Sequence, residues 1–176
     1  TAAGGVANTL RLAKWDESSA AWSALSTGLD ATGFDVEVGP DGNLYIGGLF
    51  ANAGAVACRG VAKWDGSVFT SLATVDLADG AARGVRDLEF DLAGDLYAAG
   101  SFVKATEDFE RIARWDGTAW NALANSYTTG GSFNDTVYTL EATPDGYLYA
   151  GGDFVTIDSV SNKRIARWNG SRWDPL

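Results

Sequence analysis

Histidine and methionine are both absent from the 176-residue chain, and Cys58 is its single cysteine. Without histidine the chain lacks the commonest general base and metal ligand, so Ser–His–Asp and Cys–His arrangements are excluded. A zinc site of clustered cysteines and histidines is excluded too, and no GxxxxGK(S/T) phosphate loop occurs. One cysteine cannot form an internal disulfide. We therefore expect a chain that is not an enzyme and that holds no metal ion or other cofactor.

Basic residues are also scarce, because 13 Lys and Arg stand against 23 Asp and Glu, for a formal net charge of -10. An acidic surface repels phosphate groups, so neither nucleic acid nor an anionic membrane is an expected partner. No apolar run approaches the roughly 20 residues that cross a bilayer as a helix, and no signal peptide is recognisable. The absence of methionine leads us to expect a processed product or part of a longer protein.

One pattern recurs along the whole chain. Four segments share it: LAKWDESSAAWSAL, VAKWDGSVFTSL, IARWDGTAWNAL and IARWNGSRWDPL. Their first tryptophans, Trp15, Trp64, Trp115 and Trp168, are 49, 51 and 53 residues apart. A second motif lies between them, as PDGNLYIGGLF, LAGDLYAAGSF or PDGYLYAGGDF. A period near 50 residues with two hairpin-like halves predicts the blades of a β-propeller.

Each repeat predicts four strands, A to D. Strand A alternates apolar and polar residues, at 34–38, 85–90 and 137–142. A glycine-containing turn leads to strand B (LYIGG, LYAAG or LYAGG), and strand C is VAKW or IARW. An Asp-Gly or Asn-Gly turn, which is a strong hairpin signal, leads to strand D. In the first repeat Asp16-Glu17-Ser18-Ser19 replaces this turn, so a longer C–D loop is expected there. Helical periodicity is absent throughout.

The predicted fold is therefore all-β, a β-propeller of four-stranded antiparallel blades, of which this chain supplies about three and a half. We expect a half blade of strands C and D at 1–33 and full blades at 34–84, 85–135 and 136–176, together forming one partial propeller domain. A half blade leaves strand edges unpaired, which favours aggregation. The ring is accordingly expected to be completed by sequence outside this chain or by a second chain, and two copies of three and a half blades would make seven.

The repeats resemble the kelch repeat, since Gly-Gly closes strand B, an aromatic residue ends strand C, and a second aromatic follows about five residues later. The fuller string, LYxGGxF followed by (I/V)A(K/R)W(D/N)G, is similar to the kelch-like propeller repeats of bacterial and phage surface proteins and of fungal cell-polarity marker proteins. The resemblance covers nearly the whole chain. It implies a propeller and an extracellular, cell-surface or virion location, but propellers host many functions.

Residues that recur in every blade are expected to serve the blade itself. The glycines that end strand B should allow close approach of backbones near the central channel; they are Gly47, Gly48, Gly100, Gly151 and Gly152. The four first tryptophans should pack between adjacent blades, although a row of aromatic rings could instead stack on sugars.

A cation precedes each of these tryptophans, namely Lys14, Lys63, Arg114 and Arg167. Because the chain has a surplus of acid, we expect each cation to pair with a carboxylate of strand A or of a turn, such as Glu37, Glu89 or Glu141. A basic patch that binds a ligand is the alternative.

Function is expected where the blades differ, because binding residues collect in loops on a rigid frame. The B–C loops (51–59, 103–110 and 155–163) and the D–A loops (73–84 and 124–135) are long and unalike, and in a propeller they meet on one face. We call it the long-loop face. Its candidate ligand-binding residues are Asp76, Asp79, Arg83, Lys104, Glu107, Asp108, Tyr127, Asn134, Asp135 and Asp158.

These observations predict a non-enzymatic structural or adhesive module of an extracellular, cell-surface or virion protein. It would bind a protein or carbohydrate surface through its long-loop face. One alternative is a purely structural subunit of a larger assembly. Another is the accessory domain of an enzyme whose catalytic residues lie outside this chain.

Overall fold

A computed structural model of the chain describes residues 3–7, 9–72, 76–78, 83–104, 109–123, 132–161 and 163–176. Apart from one 3-10 turn at Ala3–Gly5, the regular structure within these ranges is all β-strand. No helix in the described part of the chain is long and apolar enough to cross a membrane. These strands agree with the alternation of apolar and polar residues in the sequence.

The strands form four main antiparallel sheets. Sheet I has two strands, β1 (Ala13–Asp16) and β2 (Ala21–Ala24). The next six strands are β3 (Gly33–Val38), β4 (Leu44–Gly48), β5 (Asn52–Ala53), β6 (Val56–Ala57), β7 (Val61–Trp64) and β8 (Phe69–Ser71). Sheet II is formed by β3, β4, β7 and β8 in that order, whereas β5 and β6 pair as a separate small hairpin.

The later sheets repeat this order. Sheet III consists of β9 (Val85–Phe90), β10 (Leu96–Lys104), β11 (Phe109–Trp115) and β12 (Trp120–Asn121). The remaining strands are β13 (Val137–Ala142), β14 (Leu148–Gly152), β15 (Thr156–Ile157), β16 (Val160–Ser161), β17 (Ile165–Trp168) and β18 (Trp173–Pro175). Sheet IV is β13, β14, β17 and β18, with β15 and β16 as a second small hairpin. Spatial order thus follows strands A to D in each complete sheet.

The turns form where the sequence places residues suited to them. In the A–B turns Gly42, Gly94 and Gly146 have φ of 75°, 85° and 85°, which is the left-handed region open to glycine. In the C–D turns an aspartate or asparagine side chain accepts hydrogen bonds from following backbone amides; these capping residues are Asp65, Asp116 and Asn169. In sheet I the aromatic residues that pair across the turn, Trp15 and Trp22, have two more residues between them than Trp64 and Phe69.

Successive sheets are joined at their first strands. The carboxylate of Asp35 on β3 accepts a hydrogen bond of 2.9 Å from the amide of Leu88 on β9. In the same way Asp87 and Glu89 on β9 accept hydrogen bonds from the amides of Leu140 and Ala142 on β13. The sheets therefore follow one another with strand A next to strand A, the arrangement of a propeller-type fold.

The core lies between the sheets as three clusters. The cluster between sheets II and III contains Val61 and Leu72 from one sheet and Val85 and Leu88 from the other. Similar clusters join sheet I to sheet II and sheet III to sheet IV. The phenylalanine two residues after the last glycine of LYIGG, LYAAG or LYAGG is almost completely buried, at Phe50, Phe102 and Phe154. Burial of each such ring stabilises the fold by about 1.5–3 kcal/mol.

The fold class predicted from the sequence is confirmed at this level, since the chain is all-β with several four-stranded antiparallel sheets in a propeller-type arrangement. The total number of blades, the closure of a ring and the blade boundaries at 33, 84 and 135 stay predictions.

Candidate functional site

The long-loop face is built on the small hairpin of β5 and β6, which is fixed to the D–A segment before it. Leu29 forms a β-bridge with Ala53, and the carboxylate of Asp30 accepts hydrogen bonds of 2.9 and 3.0 Å from the amides of Ala51 and Asn52. Burial alone would raise the pKa of Asp30, but the hydrogen bonds from Asn52 and Ala51 outweigh burial and lower it. The carboxylate is therefore held ionised as a cap.

The hairpin of β15 and β16 is anchored in the same way. Phe133 forms a β-bridge with Ile157, and the side-chain oxygen of Asn134 accepts hydrogen bonds of 2.9 Å from the amides of Val155 and Thr156. Asp158, at the tip of the hairpin, accepts a hydrogen bond from the amide of Ser132 at 2.8 Å. The structure thus brings Asn134 and Asp158 together, and both hold the B–C hairpin against the D–A segment.

The other candidate residues are dispersed. Asp135 accepts a hydrogen bond of 2.7 Å from the amide of Thr136, and Asp76 forms an ion pair with Arg59. Arg83 is exposed just before β9, and Lys104 ends β10. Four candidates lie outside the described residues: Asp79, Glu107, Asp108 and Tyr127. In the described ranges no group of three Asp, Glu, Cys or His side chains could hold a metal ion.

The first tryptophans pair with the second aromatic residue across each C–D hairpin. Ring centroids are 5.3 Å apart for Trp15 and Trp22, and 4.6–5.6 Å apart in the other three sheets. Trp168 is only 8% exposed, as expected for packing between sheets, but Trp15 is 45% exposed. The expectation of burial is wrong for Trp15, because sheet I has only two strands and lacks the pair that would cover it.

The cations of strand C lie on the side opposite the long-loop face, where the short A–B and C–D turns are. Lys63 lies 2.7 Å from Asp41, and Arg114 lies 2.9 Å from Asp95; both carboxylates belong to A–B turns. The ion pair with Lys63, aided by hydrogen bonds from Asn43 and Tyr45, holds the pKa of Asp41 far below its usual value. We call this side the short-turn face.

The glutamates named as partners are not the ones that pair with these cations. Arg167 lies 3.8 Å from Asp174 and over the ring of Tyr147. The register places Tyr45 directly between Glu37 and Lys63, so two strand spacings of about 9–10 Å in total separate them. The expected pairing with a turn carboxylate is thus confirmed for Lys63 and Arg114. The pairs with Glu37, Glu89 and Glu141 are wrong, because a strand lies between each glutamate and the cation.

Those glutamates lie instead in rows of carboxylates along the first strands. Burial, the charge of Asp35 and the charge of Glu37 together raise the pKa of Asp87 to about 6, against the effect of its hydrogen bond from Leu140. Burial and neighbouring carboxylates also raise the pKa values of Glu37 and Glu89. The sequence carried the signal for this acidic row in the D-x-E that strand A of sheets II and III shares.

Three of the glycines that end strand B lie against backbone, and Gly47 and Gly151 lie against side chains. A Cβ atom added to Gly48, Gly100 or Gly152 would overlap the carbonyl oxygen of the residue just before strand A of the same sheet. At Gly47 an added Cβ would lie 2.8 Å from Val85 in the next sheet. Each position therefore needs glycine because another segment passes close to it.

A cavity opens on the short-turn face between sheets III and IV. Its volume is about 430 Å³, and it is lined by Asp91, Asp95, Tyr97, Arg114, Ala122, Leu123, Trp168 and Gly170. The corresponding cavity between sheets II and III has about 260 Å³. There Phe90 packs edge-on against Tyr45, with ring centroids 5.0 Å apart. In sheet IV the position of Phe90 is taken by Ala142, which has no ring to place against Tyr97.

Comparison with known proteins gives a structural likeness but no match to a family. No family model matches the sequence, and no curated protein matches it. Among solved structures, the chain is similar to YCF48 bound to D1 peptide, with 18% sequence identity over 89% of this chain and a TM-score of 0.45. The chain spans 44% of that structure's chain. A likeness at this level carries no information about function.

Proposed function

We propose that the chain is a non-enzymatic, kelch-like binding module that contacts a protein or carbohydrate surface through its long-loop face. The observation that carries this proposal is the anchoring of two different hairpins, β5–β6 and β15–β16, on one side of a repeated frame. Asp30 fixes the first hairpin and Asn134 fixes the second. A surface ordered before binding loses little conformational entropy when it binds, so rigid, dissimilar hairpins favour recognition.

The exposed apolar side chains of the second hairpin supply contact area. Val155 and Val160 are both exposed, and they flank the turn at Asp158 and Ser159. These two turn residues have φ of 48° and 67°, left-handed values that are uncommon outside glycine. Strained turns of this kind persist where the surroundings hold them, and they are frequent at binding sites.

The local chemistry of the repeats supports a role without catalysis. Hydrogen bonds from the amides of Val68 and Ser67 lower the pKa of Asp65, and those from Ala119 and Thr118 lower that of Asp116. These carboxylates stay ionised as turn caps and are poor proton donors at neutral pH. We place the module in a structural or adhesive protein of an extracellular surface, cell surface or virion, where the resemblance of its repeats points.

Paired screens of displayed peptides and of arrayed glycans test this proposal. Val155→Lys and Val160→Lys should each weaken a selected protein or glycan ligand, because they place a charge on the contact surface. Val68→Lys and Leu92→Lys are matched controls, since both residues are exposed on the short-turn face. Ligands whose binding is weakened only by the control variants would contradict binding through the long-loop face. Two screens without a ligand would favour the purely structural alternative.

A second candidate function is binding of a small polar ligand, such as a single sugar unit, in the cavity between sheets III and IV. Its lining combines the aromatic side chains of Tyr97 and Trp168 with the charged groups of Asp95 and Arg114. Phe90 narrows the corresponding cavity between sheets II and III, and Ala142→Phe would place an equivalent ring between sheets III and IV. We expect this variant to lose sugar binding measured by calorimetry and to keep its fold. Equal binding of the sugar by this variant would show that the cavity is not the binding site.

A further inference from the structure

In sheets II and III an aspartate of the A–B turn binds the hydroxyl group of the strand B tyrosine, but only one of these aspartates also binds a cation. In sheet II, Oδ2 of Asp41 lies 2.7 Å from the ammonium group of Lys63 and accepts a hydrogen bond of 3.0 Å from Tyr45. In sheet III, Oδ2 of Asp91 accepts a hydrogen bond of 3.2 Å from Tyr97. No ion pair reaches Asp91 within the described ranges, so sheet III lacks the cation that sheet II has beside its tyrosine.

The two aspartates occupy the same place although they come from different positions of the repeat. Asp91 aligns with Gly39, two residues before Asp41. A Cβ atom added to Gly39 would lie 2.9 Å from Oδ1 of Asp41 and 2.5 Å from the ring of Tyr45. A side chain at this position therefore enters the space of the Asp41 carboxylate. Asp91 thus replaces Asp41 beside the tyrosine.

The strand C cation of sheet III is engaged by another carboxylate. Arg114 stands at the position of Lys63 but lies 2.9 Å from Asp95. The amides of Ala93 and Asp95 each donate a hydrogen bond of 2.9 Å to Oδ1 of Asp91. Because Arg114 and Asp95 neutralise each other, the charge of Asp91 is left uncompensated, and its Oδ2 is the atom that can accept a further donor.

The cavity between sheets III and IV opens beside this carboxylate. Its charged lining residues are Asp91, Asp95 and Arg114. The rest of the lining is aromatic, aliphatic or glycine: Tyr97, Ala122, Leu123, Trp168 and Gly170. One uncompensated negative charge beside aromatic rings favours an organic cation with a single charge. A calcium ion takes about six or more oxygen ligands, which is more than the two aspartates provide.

The ammonium group has the donors that this place requires. In sheet II the ammonium of Lys63 hydrogen-bonds both Asp41 and the hydroxyl of Tyr45. An ammonium carries three donors, so it can bond to Oδ2 of Asp91 and to the Tyr97 oxygen together. Burial, followed by the charge and the hydrogen bond of Asp91, raises the pKa of Tyr97. The tyrosine therefore keeps its proton and adds no second negative charge.

We propose that the cavity between sheets III and IV binds a small organic amine in its protonated form, with the ammonium group on Oδ2 of Asp91 and the carbon skeleton against Trp168 and Leu123. Lys63 is the chain's own example of this recognition, since its ammonium lies 5.5 Å from the centre of the Tyr45 ring. The inference rests on the second candidate function described above, because the ligand occupies the same cavity, and it names the class of that ligand.

Two matched pairs of probes test the requirement for an ammonium group. Cyclohexylamine is compared with cyclohexanol, and glucosamine with glucose, by calorimetry at neutral pH and low salt. Each amine should bind at least about tenfold more tightly than its neutral partner, because it gains charge-assisted hydrogen bonds. Added salt should weaken the binding of the amines more than that of the neutral partners. A response to both amines identifies the ammonium group, and a response to glucosamine alone identifies an amino sugar.

Three variants locate the ammonium group. Asp91→Asn keeps an oxygen that accepts the hydrogen bonds from Ala93 and Asp95 but has no charge, so it should bind an amine no more tightly than the neutral partner. Asp65→Asn removes a carboxylate from another turn of the same face and should leave the affinity unchanged. Ala142→Phe should abolish binding of the amines, because the added ring fills the cavity. Thermal denaturation checks that each variant is folded.

The outcomes separate this inference from the candidate function on which it rests. Equal affinities for amine and neutral partner, both lost in Ala142→Phe, would overturn the inference and leave a cavity that binds neutral ligands. Amine binding that persists in Asp91→Asn would overturn it too, since the ammonium would then lie elsewhere. Amine binding without glucose binding, lost in both variants, would support the inference and exclude a neutral sugar. Absence of binding by all the probes would overturn both.

Discussion

The carboxylate of Asp87 accepts a hydrogen bond from the amide of Leu140, 2.5 Å away and 53 residues later in the chain. The same spacing joins Asp35 to the amide of Leu88. One repeat therefore holds the next through a side chain of its first strand. The same bonds bring carboxylates of successive sheets close together, so the device that links the sheets also concentrates negative charge.

This charge predicts a stability that rises as the solution is made mildly acidic. Burial, followed by the charges of Asp35 and Glu37, raises the pKa of Asp87 to about 6 from an ordinary value of 3.8. Between these values the folded chain binds more protons than the unfolded chain. This group therefore makes the free energy of unfolding increase as the pH falls from about 6 toward 3.8. Urea denaturation across this range measures the effect.

Asp87→Asn isolates the contribution of that carboxyl. Asparagine keeps an oxygen that can accept the hydrogen bond from Leu140 but carries no charge. Because the side chain is partly exposed, solvent screens the repulsion, and we expect a gain of about 1 kcal/mol at pH 7. The pH dependence should flatten in the same variant. Asp65→Asn is the control, since Asn169 caps the equivalent turn in sheet IV. It should give no gain in stability at pH 7 and should leave the slope between pH 6 and 3.8 in place.

The sequence predicted those features that depend on neighbours within one repeat. The strands and the Asp-Gly turns follow from local spacing. Its predictions were wrong where they depended on how two strands or two sheets lie relative to each other. Glu37 was named as a possible partner of the strand C cations, although Tyr45 separates it from Lys63. Trp15 was expected to pack between blades, although it is 45% exposed in the two-stranded sheet I.

The candidate site was harder to predict, because its residues act through loops of unequal length. Asp30 and Asn134 do the same work at the base of two hairpins, but they differ in residue type and only Asn134 was singled out. A carboxylate and an amide oxygen both cap backbone amides, so their equivalence is chemical and is visible only once the hairpins are placed.

That equivalence gives a second prediction. Asp30→Ala should free the amides of Ala51 and Asn52, cost about 1 kcal/mol of stability, and raise hydrogen exchange in β5 and β6. Asp30→Asn should restore most of the protection, because Asn134 performs this task in sheet IV. Exchange that rises evenly over all sheets would show that Asp30 contributes to overall stability and does not hold the hairpin locally.

The glycines that end strand B predict a graded response to alanine. In Gly100→Ala the new methyl group meets the carbonyl oxygen of Gly84, which is backbone and cannot rotate away. We expect a loss of more than about 3 kcal/mol in guanidinium denaturation. In Gly146→Ala nothing lies within 4 Å of the added carbon, and only the left-handed φ of 85° is strained. That variant should lose about 1 kcal/mol, and equal losses would contradict the close approach.

The unequal cavities of the short-turn face predict that removing a ring at one position and adding a ring at the equivalent position affect stability differently. Phe90 fills the junction between sheets II and III by packing on Tyr45, so Phe90→Ala should cost about 2 kcal/mol, less than for a fully buried ring. Ala142→Phe adds a ring beside Tyr97, where about 430 Å³ stands open. It should leave stability unchanged or raise it, because the ring gains contacts without displacing others. Thermal denaturation of both variants and of the double variant measures these effects. If the added ring does not fit the cavity, Ala142→Phe alone will destabilise the chain.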